Sequence, residues 1–468
     1  MKTEASGRWS HNHTFDWQFR MIRHVVLGVV LCLIQAAAVA LPAASTRDQD
    51  PQHEGTGTAG SQTGPDTRAP AQDPAAAGTA PRAASPEPAW KRYLKSLDRQ
   101  GLSSIEDINY RGFYPRVAWI STGSGPALGV RYWKPSAIGS LDVLGSAYYS
   151  WRRYQFYDLQ LGLIPHRGET IPPDSFATEG VDQLGDVDRQ GFSRLKLYGT
   201  VRFRDRTDDS FYGLGPDSQR SARLRYRVKD SLGELATGYQ FSDHFGFTVK
   251  AGYLENSLAC GRSTPTLCAN LPTPVPSGTP SPPHYFRFRS NALFDYRDDF
   301  GLPHKGLLWA IGWDKWDNVN AGNRFNFNLF ATDLRGYVPL GGRAHTLALR
   351  GVAIYTDPAA GNRVPFFLQP SLGGGDTLRG YDPFRFQGDK LMLAQAEYRW
   401  EASRWLELAL FGDTGTVAVQ GSRLSVDKLK SDWGFGFRFK TAHSILLRID
   451  EAFSNEGAHT QVRLAAAF

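Results

Sequence analysis

The sequence predicts an all-β fold: a transmembrane antiparallel β-barrel of 16 strands, with 14 as the alternative count, behind an N-terminal signal peptide and a disordered linker. Three observations carry this reading. From about residue 112 to the end, apolar and polar side chains alternate with a period of two, the period of a strand whose faces meet different surroundings. The chain has 12 Trp, 19 Tyr and 28 Phe against only 3 Met. Its 41% apolar content and negative mean hydropathy leave no reserve for helical spans, each needing about 20 near-continuous apolar residues. A spanning strand needs only about ten residues, half of them facing lipid, so the same composition allows many strand crossings.

The N-terminus reads as an export signal over residues 1–40. Arg20, Arg23 and His24 precede an apolar run from Val25 to Ala40, which ends on the small-residue pattern Ala38-Val39-Ala40. Cleavage is expected after Ala40, and Met21 is an alternative start. Cys32 follows Leu31 inside the apolar run, a poor fit to a lipoprotein site. Residues 41–89 are rich in Ala, Pro, Gly, Thr and Ser without apolar periodicity, the composition of a disordered tether. In the next stretch, 90–111, Trp90, Tyr93, Leu94 and Leu97 fall at helical spacing among Lys91, Arg92, Lys95 and Arg99. This predicts one short periplasmic helix and a lead-in, with packing on the barrel rim, plugging of the lumen and membrane-surface contact all left open.

The barrel is assigned to 112–468. In the segment SRLKLYGTVRFR, Leu195, Leu197, Gly199, Val201 and Phe203 alternate with Arg194, Lys196, Thr200, Arg202 and Arg204. Leu224, Tyr226 and Val228 oppose Arg223, Arg225, Arg227 and Lys229; Phe286 and Phe288 oppose Arg287, Arg289 and Asn291. The pattern returns in Phe325, Phe327 and Leu329 against Arg324, Asn326 and Asn328, and in Trp433, Phe435, Phe437 and Phe439 against Gly434, Gly436, Arg438 and Lys440. Bulky aromatics repeat on one face with no second element to cover them, so lipid is the expected cover. The other face then lines a wet lumen carrying Arg194, Lys196, Arg202, Arg223, Arg225, Arg227, Arg287 and Arg289. Two uses stand open: a lattice of lumenal ion pairs, or anion selectivity. The count is 16 if residues 113–121 form a strand and 140–164 fold back on themselves. With both chain ends periplasmic, the loops after Tyr355, around Asn318 to Gly322, and from Ser257 to Pro283 fall outside the cell. Residues 165–190 break the pattern by placing a long segment on the inner side. The outside loop holds Cys260 and Cys268, which an oxidising compartment would join; with no neighbouring histidines they cannot complete a tetrahedral metal site, and no metal or cofactor is expected.

Three segments stand apart from the repeating strands: SLGGGDTLRGYDPFRF at 371–386, LMLAQAEYRW at 391–400 and LELALFGDTGTVAV at 406–419. Leu378-Arg379-Gly380-Tyr381 behind a glycine run, then Glu397-Tyr398-Arg399, then Phe411-Gly412-Asp413-Thr414-Gly415 resemble the signature of the BamA-like outer-membrane protein-assembly superfamily, also called bacterial surface antigen barrels. DSFYGLGPDS at 209–218 is a weaker match. The resemblance covers about the C-terminal 370 residues and implies a 16-strand barrel in the cell outer membrane. It also implies that the sixth outer loop folds back into the lumen, where Arg379, flanked by Gly380 and Tyr381, bonds Asp413 on the wall, with Glu397 as second candidate. Strand parity agrees independently of the family: Glu397 shares a face with Gln395 and Arg399, and Asp413 with Glu407, each opposite apolar neighbours. The last strand, with Val462, Leu464, Ala466 and Phe468 on one face, resembles the signal read by barrel assembly machinery, although Ala466 stands where an aromatic is common. Members acting in assembly or secretion usually carry periplasmic polypeptide-transport-associated domains. Here the linker and one helix stand in their place.

Two functions therefore compete. One is insertion, translocation or surface display of a polypeptide or lipid, through a barrel locked by the 371–386 loop; the other is a passive, anion-preferring channel. The expected partners are outer-membrane lipid, the barrel assembly machinery during biogenesis, and a separate periplasmic partner or polypeptide cargo. Net charge is +7, and losing the four basic and two acidic residues of 1–40 leaves about +5, too mild to argue for nucleic acid. The chain is not expected to be an enzyme. Asp413-Thr414-Gly415 spells the aspartic-protease triplet, but occurs once where that chemistry needs two carboxylates.

Overall fold

The computed structural model describes residues 111–164, 194–279, 281–299, 301–322, 324–440 and 445–463. The expected signal peptide, linker and helix, residues 165–190, and Leu464 and Phe468 of the expected assembly signal lie outside the described residues.

One antiparallel sheet contains 16 strands. In chain order these are β1 (Phe113–Trp119), β2 (Pro126–Ile138), β3 (Leu141–Ser150), β4 (Gln155–Leu163), β5 (Leu195–Phe211), β6 (Leu224–Ser242), β7 (Phe245–Cys260), β8 (Tyr285–Asp295), β9 (Gly306–Asn318), β10 (Phe327–Pro339) and β11 (His345–Pro358). After a two-stranded hairpin, β12 (Ser371–Leu372) with β13 (Phe386–Gln387), the sheet resumes with β14 (Lys390–Ser403), β15 (Leu406–Ala418), β16 (Lys430–Lys440), β17 (Ile445–Ser454) and β18 (Gly457–Arg463). Each sheet strand pairs with its neighbours in sequence, and β11 pairs with β14 across the hairpin. The sheet curls until its ends meet: the Arg463 guanidinium of β18 lies 5.4 Å from the centre of the Trp119 ring of β1. The higher of the two counts is the one observed, because Phe113–Trp119 is a strand and 141–163 is a hairpin.

Successive connections alternate between the two ends. The segments 261–284, 319–326 and 359–389 all leave from one end, while two-residue turns such as 243–244 and 404–405 close the other. The long stretch between β4 and β5, which contains 165–190, starts from the end of the short turns.

The alternation sorts side chains as the physics of a membrane barrel requires over most of the wall. Phe286, Leu410 and Trp433 are about 60% exposed on the outer face. Arg287 and Arg289, one position away, are buried inside and share Asp314, with Arg287 Nη2 and Arg289 Nε reaching its two oxygens at 2.5 and 2.9 Å. On the lumenal face of β5 and β6, Arg204 Nε donates to Asp230 at 2.8 Å. The guanidiniums are held in a lattice with aspartates.

Two strands reverse the expected faces. On β6 the lumenal residues are Tyr226, Val228, Asp230 and Leu232, all buried. Arg225 and Arg227 point away from the lumen, toward Ser210 and Asp205 of β5, and Arg223 sits exposed just before the strand. These three arginines are not lumenal. On β10, Phe327 and Leu329 face inward, and Phe330 faces out at 46% exposure. The reason is local: one half of the lumen is not wet. Tyr226, Leu254, Tyr285, Trp316, Phe327 and Leu329 form an apolar lining packed against Phe366, Phe367 and Leu368 of the 359–389 loop. An aromatic side chain on a barrel strand can thus be satisfied from either side.

Candidate functional site

The site is built where the 359–389 loop enters the barrel. Pro365 to Leu368 forms a short turn whose three apolar side chains are buried. Phe366 meets the Phe211 and Tyr226 rings edge-on at 4.9 Å each. Fully burying side chains of this size contributes about 1.5–3 kcal/mol apiece, which drives a polar-flanked loop inward. The β12–β13 hairpin then turns the chain through Gly373 and Gly374, at φ of +114° and +98°, values that only glycine adopts without strain. Gly374 N–H is shared by the carbonyls of Leu378 and Tyr381, which fixes the tight bend presenting Arg379.

Arg379 is fully buried. Its Nε and Nη2 donate to the two oxygens of Asp413 at 2.7 and 2.8 Å. Nη1 donates to Glu397 at 2.8 Å and lies 3.4 Å from Asp450. The guanidinium also covers the Phe411 ring, 3.4 Å from its centre. A forked guanidinium–carboxylate contact without solvent is the strongest form of charge-assisted hydrogen bond. Gly380 follows because there is no room for more: a Cβ there would stand 2.6 Å from the Cβ of Asp432 and 3.1 Å from that of Ser454. Tyr381 donates to the Ser431 carbonyl and to Asn455. Its burial, together with the Asp432 and Glu456 charges, pushes its phenol up to about 12, so it keeps its proton.

The structure thus brings Arg379, Gly380, Tyr381, Glu397 and Asp413 into one constellation. It adds residues that the sequence does not assign to this constellation. Glu397 also accepts from Arg399 at 2.6 Å and Arg438 at 2.7 Å. Arg448 holds Asp450 at 3.2 Å and donates to the Gly375 carbonyl at 2.8 Å. Gln395 bridges the Thr377 carbonyl and Asp413, while Arg350 and Arg463 secure Asp376. Arg448 and Asp450 were detectable: they alternate with Leu447 and Ile449 on β17 as the other lumenal charges do.

At its outer edge the loop is clasped a second time. Arg385 donates to Glu456 at 2.9 Å and to the Ser218 carbonyl at 2.7 Å, and Arg220 donates to Asp382 at 3.0 Å. The 209–218 segment takes part directly, through Gly215 N–H to the Gln387 carbonyl at 2.7 Å. Asp389, at the loop's exit, is pushed up by burial despite accepting from Gln420 N–H.

Of the expected basic lining, Lys196, Arg287 and Arg289 are buried in the lumen, and Arg202 and Arg204 pair there with Asp230. Arg194 is an exposed residue at the foot of β5, bonded to the Phe241 carbonyl. Val462 lies outward at 48% exposure. Cys260 and Cys268 are joined in a disulfide. No cluster of three metal-ligating side chains occurs among the described residues.

Comparisons with known proteins bear on the fold and the family. Among solved structures, BamA from Haemophilus ducreyi lacking POTRA domains 1–3 superposes with a TM-score of 0.52 at 13% identity, covering 80% of this chain and 76% of that one. CdiB from Escherichia coli gives 0.45 at 10% identity, over 80% and 69%. No curated protein matches in sequence. Residues 183–465 match the model of the Omp85 superfamily domain, more than half of the chain, and the protein is therefore a bacterial outer-membrane β-barrel that belongs to the Omp85 superfamily.

Proposed function

We propose that the protein inserts, translocates or displays a polypeptide or lipid at the outer membrane, and that the loop seated on Asp413 and Glu397 is the lock that keeps the barrel closed between events. The observation that carries this reading is the total burial of Arg379 in a three-carboxylate cradle. A passive pore gains nothing from filling its lumen with an ordered loop. Asp413 is engaged by Arg379, which supports a structural rather than a catalytic use of the Asp413-Thr414-Gly415 triplet, and this reading assigns the protein no bond-making step. Outer-membrane lipid surrounds the barrel, and a polypeptide cargo or separate periplasmic partner completes the system.

The test is a comparison of surface proteins and surface lipids in cells lacking the gene, restored with the wild type or with Arg379→Ala. Loss of a defined surface component, restored only by the wild type, is the expected result. The competing reading, an anion-preferring channel, draws on the lumenal arginines; it would appear instead as altered uptake of small anions with an unchanged cell surface.

A further inference from the structure

The membrane-facing wall changes character partway up β6. Near the inner end its outward side chains are Tyr239 and Leu235, 43% and 39% exposed. Eight residues from Tyr239 stands Ser231, opposite Phe203 of β5, whose ring lies 6.3 Å from that of Tyr157 on β4. Within two residues of that register, the Tyr253 and Phe286 rings of β7 and β8 lie 5.6 Å apart. Eight residues of strand measure about 27 Å, and at the usual tilt they rise about 20 Å. That is close to the apolar band of about 25 Å that a barrel shows to hydrocarbon, so these aromatics mark its outer edge.

Beyond Ser231 the outward positions turn basic. Lys229, Arg227 and Arg225 follow at two-residue spacing, about 7 Å apart, between the buried Asp230, Val228 and Tyr226. Arg223 continues the row just ahead of the strand and is exposed. The acids nearby are few. Asp205 is taken up by a fork from Arg227. Asp208 accepts from the backbone N–H groups of Arg262 and Ser263 and lies 3.9 Å from Arg225, and Glu255 stands opposite Ser231, at the foot of the row. Lys229 has no hydrogen bond or ion pair among the described residues, and Arg223 has no ion pair there. Two more exposed arginines flank the row: Arg262, and Arg153 in a turn tied to β5 by the Thr207 hydroxyl, which donates to the Arg152 carbonyl.

We propose that the outward row from Arg223 to Lys229 binds the phosphate-bearing headgroup of an outer-leaflet lipid. The position selects a lipid over a soluble acidic partner. The row points sideways, in the plane of the membrane, and continues upward from a belt whose aromatic side chains already meet acyl chains. A lipid packed on Phe203 and Tyr253 therefore carries its phosphates up to Lys229 and beyond. The chemistry agrees, since guanidinium forks and a free ammonium both suit phosphoryl oxygens. Several cations in succession suit a headgroup with more than one phosphate along its height.

Native mass spectrometry of the purified full chain in a non-ionic detergent tests this, by titration with bisphosphorylated lipid A and with the same lipid stripped of both phosphates. The expected result is at least tenfold tighter binding of the phosphorylated form. Arg223→Gln combined with Lys229→Gln should weaken that binding at least fivefold and leave the stripped lipid unaffected. If the pair does not fold, Arg223→Gln alone, ahead of the strand, should lose at least twofold. Arg343→Gln removes an exposed charge from the turn at the opposite end of the barrel and should change nothing. Equal binding of the two lipids, or a loss in the row variants no greater than in Arg343→Gln, overturns the proposal. The readout is a binding constant for lipid on the outer wall, so it stands or falls separately from the transport reading.

Discussion

Replacing Arg379 with alanine removes two bonds to Asp413 and one to Glu397, all at or below 2.8 Å. The acids do not suffer equally. Glu397 retains Arg399 and Arg438, and Asp450 retains Arg448. Asp413 keeps neutral contacts, among them the Gln395 amide at 3.1 Å and the backbone N–H of residue 379 at 3.4 Å, but no cation among the described residues. One carboxylate is thus left buried without a cation, a loss worth about 3–5 kcal/mol. At about 1.4 kcal/mol per tenfold, the population with the loop released rises by roughly two to three and a half orders of magnitude. Hydrogen exchange of the amides between Gly374 and Tyr381, which are now tied by Gly374 N–H to Leu378 O and Tyr381 N–H to Leu378 O, should accelerate by that factor while β14 and β15 stay protected. Asp413→Asn on top of Arg379→Ala removes the stranded charge, so the double variant should be less destabilised than the sum of the singles, by up to about 3 kcal/mol. Unchanged exchange in Arg379→Ala, or strict additivity in the cycle, would refute the reasoning.

Four further outcomes follow from the same contacts. Phe366→Ala empties a site closed by Phe211 and Tyr226 and should cost about 3–5 kcal/mol of loop seating, read as faster proteolysis within 359–389 of a barrel that still resists heat in gel mobility. Gly380→Ala forces a Cβ against Asp432 and should loosen the loop by about 1–3 kcal/mol, whereas Gly336→Ala, which meets nothing, should change thermal stability by less than about 0.5 kcal/mol. Cys260→Ser with Cys268→Ser opens a short covalent loop worth about 2–3 kcal/mol; exchange should rise in 261–284 and not in the loop bearing Arg379. Asp389 has a raised carboxyl, so its contribution is fully present below the unfolded carboxylate range and is lost as pH rises through its folded value. Loop protection should accordingly fall with rising pH in that window, and Asp389→Asn should flatten the dependence.

The sequence made the barrel legible because membrane geometry writes a period of two into every strand, and because the Arg379 segment interrupts that period with glycines. Parity alone shows that Glu397 and Asp413 face inward, while their pairing with Arg379 comes from the family resemblance. What parity could not supply was the nature of the lumen at each height. Tyr226, Phe327 and Leu329 look lipid-facing until the loop provides an apolar partner, and Arg225 and Arg227 were placed inside only because their neighbours were placed outside. One signal was available: Pro365-Phe366-Phe367-Leu368 is an apolar run inside a long outer loop, and it needs cover. The charges of the wider network are legible as lumenal, but their meeting with the loop is not. Arg438, Arg448 and Asp450 lie on β16 and β17, and only closure of the barrel brings those strands against a loop that leaves from β11.

The central claim is that the seated loop closes the barrel. Single-channel conductance of the refolded protein in planar bilayers, compared with Arg379→Ala and with the double variant Arg379→Ala, Asp413→Asn, tests it most directly. The account predicts a closed or briefly flickering wild type, and long openings in Arg379→Ala. A steady anion-selective current in the wild type, unaltered by either variant, would contradict it and favour the passive channel.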